Sequence, residues 1–540
     1  MTAASVPSPV ITAPADNKWL VALAVSFGAL MATIDLSIVN VALPQIRGSV
    51  GASIDEMASL VTFFAIAQVV VMPLTAFLGR FFGQKRVYLF CLGLFLFGSV
   101  LCGLAHSLPQ LIAARAIQGL GAGALQPTQQ AILRQTFPPR EQGMAMAVFA
   151  MAVMVGPAVG PTLGGWIVDN WSWPWIFYIN LPVGIVGILM VMRFVHEPAD
   201  IRTANLAIAE RMRQNLDWIG IALMSVGLAT TQYVLEQGPR DDWFESPTIT
   251  VGVIVGVAGI LGFIIRELTA PAPAVNLRLF RDPVFSSATV IGGVMFAVLI
   301  ANMFLLPVFM QELLGYTALQ SGWAMVPRTA AMMVTVPIVG RIYNHVSPRL
   351  LIALGLICVA WGSWDMGKFT LQTSTSGIAL ALIVQGLGFA LLFVPLTTVA
   401  LSHVDRSHLS DATGLNALVR QFGGSVGLAI FTTVLTRSAA QAQNGLLAHL
   451  DPGRPVVMQR LAAMKAALMQ RGLDAGQAQA GALKALGGTV MRQAQVMAFD
   501  KTFILAAGLM LVLLLFVPFL RQPPREETTA DPKEILHVEL

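Results

Sequence analysis

The sequence predicts an all-α membrane protein of fourteen spans, built as two six-helix halves with two further helices inserted between them. Three observations lead there. Of 540 residues, 56% are hydrophobic and 11% charged, with a mean hydropathy of +0.72, whereas soluble domains carry roughly 25% charged residues. The apolar residues come in runs of about 20 or more, enough as helices to cross a hydrocarbon core of about 30 Å. The pattern of the first part also recurs. Gly79-Arg80 returns as Gly340-Arg341, Gln118-Gly119-Leu120-Gly121 as Gln385-Gly386-Leu387-Gly388, residues 156–160 as 423–427 and Pro44 as Pro307, at offsets of 261 to 267 residues.

The elements follow in order. Residues 1–18 form a polar, Pro-containing tail, and the apolar stretch after it is too long for the core of a signal peptide. The first bundle, 19–194, has spans near 19–43, 57–78, 87–105, 110–133, 143–168 and 174–194. The linker 195–284 holds two extra spans, 217–236 and 248–265. The second bundle, 285–520, has spans near 285–310, 321–342, 349–368, 377–401, 411–436 and 502–520. Within it, segment 438–498 carries helix-spaced Leu461, Met464 and Leu468, then Leu483, Leu486 and Val490, and reads as an outer helical hairpin. Residues 521–540 are a second tail.

An even span number puts both termini on one side. With the termini cytoplasmic, the inner connections hold fifteen Lys and Arg residues, among them Arg80, Arg86, Arg134, Arg140, Arg202, Arg211, Arg213, Arg341 and Arg406, while the short outer loops hold only Arg47, Arg240 and Lys368. The positive-inside rule therefore places the termini in the cytoplasm. The net charge of +5 is spread over these loops rather than gathered in a patch, which argues against nucleic acid as a partner. The three cysteines lie inside apolar runs without metal spacing, no Walker loop or HExxH occurs, and no cofactor is called for.

Few charges lie within the spans. Asp35 is well inside the first, where an ionised carboxylate costs about 2.5 to 3.5 kcal/mol on insertion scales and must face a polar cavity, find a partner or hold a proton. Arg115 lies at a similar depth in the fourth span and is its natural partner, either as a fixed ion pair or as part of a proton site. Asn40, Gln118, Gln126 and the adaptable Met154 are candidates to line a substrate cavity. Gly119–Ala124 matches a dinucleotide fingerprint only superficially, because no strand precedes it. Gly156, Pro157, Gly160, Pro161, Gly164 and Gly165 make a bare stripe where another backbone can approach, on a helix bent by its prolines. Arg420 and Arg328 are further buried charges, read as snorkelling or paired, with Glu236 and Glu312 at outer ends. The Trp171–Pro182 stretch reads as an interfacial anchor without chemistry.

Together these motifs resemble the fourteen-span drug:proton antiporters of the major facilitator superfamily, most of all the multidrug exporters of the EmrB/QacA type, from about residue 20 to 520. The resemblance implies the major facilitator fold, proton coupling at Asp35 with Arg115, and an antiporter motif at Gly156–Gly165 that seals the contact between halves in one conformation. It also implies a gating loop at residues 79–86, in which Gly83 and Lys85 fit. Arg80 stands where the superfamily has an acid, so a carboxylate latch cannot work there in its usual form, and Arg80 reads as a topology signal. The implied function is export of amphipathic, often cationic toxic compounds across a bacterial inner membrane, driven by the proton gradient. Small-molecule drugs, the lipid bilayer, and a periplasmic adaptor with an outer-membrane channel are the implied partners; segment 438–498 reads equally as a lid or as the adaptor's docking surface. The rivals are a proton-coupled importer of a small organic solute and, remotely, a membrane enzyme or sensor.

Overall fold

The computed structural model describes residues 18–196, 217–270, 273–405, 408–450 and 454–520. The predicted tails apart from Lys18, and Arg202, Arg211, Arg213 and Arg406 of the orientation argument, lie outside these residues. The first half comprises α1 (Lys18–Val50), α2 (Ile54–Phe82), α3 (Gln84–Gly103), α4 (Leu108–Thr136), α5 (Gln142–Asn170) and α6 (Trp175–Phe194). The inserted pair is α7 (Trp218–Gln237) and α8 (Pro247–Thr269). The second half comprises α9 (Pro283–Val308), α10 (Ala318–Ile342), α11 (Pro348–Met366), α12 (Thr375–Ala400), α13 (Leu409–Ala448), α14 (Pro455–Gln470) and α15 (Ala475–Val512).

Local chemistry repeats between the halves. Ser53 and Glu56 close a capping box at the start of α2, and Thr317 and Gln320 do so at the start of its counterpart α10. In α4 the Gln118 amide donates to Ser99 of α3 at 2.7 Å, and in α12 Gln385 donates to Ser363 of α11 at 3.1 Å. A Cβ at Gly119 would run into the Phe64 carbonyl, and one at Gly386 into the Arg328 carbonyl, so both glycines let α4 and α12 lie directly on their neighbours. The repeat of sequence is a repeat of packing.

Among the described residues, thirteen helices are long and apolar enough to cross a membrane. Of the fourteen predicted spans, α4 is the exception. It is 29 residues long, but Arg115, Gln118, Gln126, Gln129 and Gln130 lower its mean hydropathy. Its polarity is turned inward, since of these only Gln126 is more than marginally exposed.

We call the end where Arg80, Arg134, Arg140 and Arg341 gather the basic end, and the other the far end. The direct hydrogen bonds between the halves lie at the basic end among the described residues. Arg80 pairs with Asp411 at 2.7 Å, Gln84 donates to Ser410 at 2.6 Å, Arg134 donates to the Leu401 carbonyl at 3.1 Å, and Asn344 donates to the Arg140 carbonyl. There the backbones of α5 and α10 meet, with Gly143 against Gly340 and Gly340 against Ala147. The inserted α7 straps the outside of the seam between α2 and α13: Gln232 donates to Ser425, Gln237 to Thr62, and Trp243, just beyond the helix, to Thr433.

The Arg80–Asp411 pair corrects the reading of Arg80 as a topology signal. Its guanidinium is mostly buried, the Asp411 carboxylate is fully buried, and Arg80 also donates to the Ala274 carbonyl. A carboxylate latch is present after all, with the acid on α13 and the base on α2. Gly83, at φ 84°, takes the left-handed turn from α2 into α3, and Lys85 donates to the Met192 carbonyl at the end of α6.

His408 stands beside this latch, Nδ1 lying 3.5 Å from the Asp411 carboxylate. The Asp411 carboxylate beside it raises its pKa above the ordinary 6.5, burial works against the rise, the Asp405 charge adds to it and that of Arg80 opposes it. A raised value means that protonated His408 stabilises the folded state in full below about pH 6.5, a contribution lost as pH rises through the folded-state value. Wild type is thus expected to exceed His408→Gln in thermal midpoint at about pH 6 and to lose that margin at about pH 8. The margin is small, because a half-exposed imidazole is screened; an equal margin at both values would refute the link.

Segment 438–498 contains the expected helical hairpin, α14 turning at 471–474 into the first part of α15 with Gly481 against Leu468, and this hairpin is continuous with the spans. At 40 and 38 residues, α13 and α15 run about 60 Å, twice the thickness of a bilayer core, so the extension consists of the continued ends of two spans with α14 laid beside α15. α14 buries none of its residues.

Candidate functional site

The centre of the first half is a closed polar cluster between α1, α3, α4 and α6. Asp35 and Arg115 are both 0% exposed, and Arg115 Nη1 donates to Asp35 Oδ2 at 2.5 Å. Asp35 Oδ1 accepts from Gln118 Nε2 at 2.9 Å and from Asn180 Nδ2 at 3.3 Å. Gln118 and Asn180 both also donate to Ser99 Oγ, at 2.7 and 3.2 Å. Three donors thus converge on the two oxygens of one carboxylate.

Arg115 has other supports. Its Nε donates to the Leu60 carbonyl at 3.4 Å, its Nη1 to Gln118 Oε1 at 2.7 Å, and its guanidinium carbon lies 4.1 Å from the centre of the Phe64 ring. The base thus keeps partners of its own when the acid is neutral. The second half has no such pair: at the repeat offsets Val298 and Leu382 occupy the matching positions, both fully buried.

α1 is gripped on its other side by α5. A Cβ at Gly156 would strike Thr33, one at Gly160 would strike Ser37 and one at Gly164 would strike Ile38, whereas Gly165 has room for one. The Ser37 hydroxyl is 3.1 Å from the Gly156 carbonyl. In this conformation the stripe holds α1 and α5 together within one half, flanking Asp35. The cross-half contact of α5 is made at its basic end instead, around Gly143 and Ala147. Pro157 and Pro161 lie inside the helix, next to the glycines in contact with α1.

The other predicted residues are dispersed. Asn40 is exposed, about 7.5 Å further along α1 toward the far end. Gln126 is half-buried, Gln118 is locked inside the cluster rather than lining a cavity, and Met154 is buried in the core. Arg420 and Arg328 are each 3% exposed, so neither snorkels, and neither has an ion pair among the described residues. Glu236 is half-buried and accepts from Gln232 at 2.6 Å. Glu312 is exposed, which corrects its reading as a buried charge.

Four residues of the cluster and the latch were not singled out in the sequence. Asn180 and Phe177 come from the stretch read as a mere anchor, and Phe177 lies 5.9 Å from the Arg115 guanidinium carbon. Ser99 carried a signal, because its repeat partner Ser363 stands at nearly the same distance from Gln385 as Ser99 does from Gln118. Asp411 stood at the start of a span, where an acid also reads as an ordinary helix-dipole residue.

A family model described as Major Facilitator Superfamily matches residues 25–428. The chain is 31% identical over 506 residues to the fatty acid resistance protein FarB of Neisseria gonorrhoeae, covering 93% of this chain and 96% of that protein. It is 32% identical over 508 residues to the multidrug export protein EmrB of Escherichia coli (strain K12), covering 93% and 95%, and 33% identical over 438 residues to that of Haemophilus influenzae, covering 81% and 84%. Among solved structures, the human organic anion transporter MFSD10 (TETRAN) shares the fold, with a TM-score of 0.61 at 15% identity, covering 93% of this chain and 99% of that one.

Proposed function

We propose that this chain, which belongs to the Major Facilitator Superfamily, is a multidrug efflux transporter that exchanges protons for amphipathic toxic compounds at a bacterial inner membrane. The observation that carries the reading is the Asp35 carboxylate, fully buried between membrane spans, whose only ionic partner among the described residues is Arg115. The names of relatives such as EmrB support the export of several drugs, and full coverage of those proteins supports carrying the reading over the whole chain.

The basic end is the cytoplasmic one on this reading, and the state described is closed toward the cytoplasm. A proton arriving from the far side neutralises Asp35 and dissolves its pair with Arg115, whose charge then rests on the Leu60 carbonyl, Gln118 and the Phe64 ring. Released from α4, α1 shifts, and the interlocked α5 shifts with it. The basic end of α5 lies on α10, so the motion reaches the seal between the halves. Each proton moving down 100 mV supplies about 2.3 kcal/mol. The adaptor and outer-membrane channel belong to this proposal, with the long far-end extension of α13 and α15 as the segment that reaches outward.

Proteoliposomes with an imposed pH gradient test it. Wild type is expected to move ethidium when protons can run the opposite way, and Asp35→Asn to lose gradient-driven movement by about 100-fold or more, since the coupling step itself is removed. Undiminished gradient-driven transport by Asp35→Asn would overturn the proton site, and uptake of ethidium with the proton flow would favour the importer.

A further inference from the structure

Arg420 is held differently from Arg115. It is 3% exposed, and among the described residues its Nη1 has no hydrogen-bond partner and no carboxylate pairs with it. Its guanidinium carbon lies 5.7 Å from the centre of the Phe149 ring and 5.4 Å from those of Phe296 and Phe393. The rings form one wall, Phe393 lying 5.8 Å from Phe149 and 6.0 Å from Phe296. Phe149 belongs to the first half and the others to the second, so the cage spans the seam whose opening and closing constitute transport. Nearby on α9, Gly292 faces the Arg420 side chain, and one turn away the Thr289 hydroxyl is buried with no partner.

An unpaired buried cation is costly, and the ring faces offset only part of that cost. The rings supply no oxygen acceptor to the guanidinium. Its N–H edge, shaped to hold two oxygens of one carboxylate or sulfonate, remains without an acceptor. Nothing acidic in this cage would receive a cation, and the one acid at the centre of the first half is consumed by Arg115.

We propose that Arg420, with Phe149, Phe296 and Phe393, binds the acidic head of amphipathic organic anions, compounds that join an aryl or alkyl body to one carboxylate or sulfonate. The head lies on the N–H edge and the body against the rings. This substrate class rests on the export reading for its transport, though not for its binding, and it departs from the often cationic compounds implied by resemblance.

The test uses the full chain in nanodiscs of neutral lipid, titrated with 4-phenylbutanoate and 4-phenylbutylammonium, a pair alike in body and opposite in charge. Wild type is expected to prefer the anion. Arg420→Gln is expected to weaken anion binding by about 30-fold or more while leaving the cation unweakened, and Arg420→Lys to fall between. Anion binding equal in wild type and Arg420→Gln overturns the proposal, as does wild type preferring the ammonium compound, a result that needs no variant to fold. Arg420-dependent anion binding without gradient-driven transport of either compound would leave the site standing and sink the proton-driven reading. Gradient-driven ethidium transport without Arg420-dependent anion binding would do the reverse.

Discussion

Arg80→Asp is expected to spring the basic end open, and adding Asp411→Arg to close it again. The pair joins α2 to α13 across the seam at 2.7 Å with the carboxylate fully buried. Replacing the base by an acid sets two carboxylates against each other where one already lacks a bond to its second oxygen. Breaking a buried pair costs about 3 to 5 kcal/mol, and even the lower figure moves a two-state equilibrium more than about 100-fold. A cysteine at Met144, partly buried where Gly340 crosses α5, gives the readout with a membrane-impermeant maleimide. Labelling should be slow in an otherwise wild-type chain, fast with Arg80→Asp and slow again in the charge-swapped double variant. Equal labelling in all three would show that the pair does not hold the seam.

Arg115→Leu is expected to be the most destabilising single change in the first half. It strands a carboxylate at 0% exposure with only Gln118 and Asn180 as donors, a loss of about 3 to 5 kcal/mol. Asp35→Asn should be milder, since Arg115 keeps the Leu60 carbonyl, Gln118 and the Phe64 ring. Combining the two changes should recover much of the stability lost in Arg115→Leu, because the double variant buries no unpaired charge. Thermal midpoints of the four proteins complete the cycle. An Arg115→Leu protein as stable as wild type would show that the pair carries no structural weight.

The spans were legible because apolar runs and basic loops are properties of contiguous sequence. Asp35 and Arg115 could be matched for the same reason: each stands alone in a long apolar run, and depth along two helices is simple arithmetic. What depends on rotation about a helix axis was not legible. Gln118 lies on the face toward Asp35 and Ser99, and the Gly156–Gly165 stripe faces α1, choices set by packing rather than by composition. Contacts between residues hundreds of positions apart, such as Arg80 with Asp411, leave no local pattern at all. The absent superfamily acid at position 80 was visible, whereas its transfer to α13 was not.

The inward polarity of α4 also bears on how the protein is made. A translocon releasing helices one at a time judges each against lipid, and a central arginine alone weighs about 2.5 to 3.5 kcal/mol against release. α4 carries that arginine and a row of glutamines, and it is the long helix of its half that fails the apolar threshold. By the time it emerges, α1 has already been delivered with Asp35. A nascent chain that docks α4 onto α1 exchanges the lipid for a carboxylate, so the acid read here as a proton carrier also gives the fourth helix its reason to stay in the bilayer.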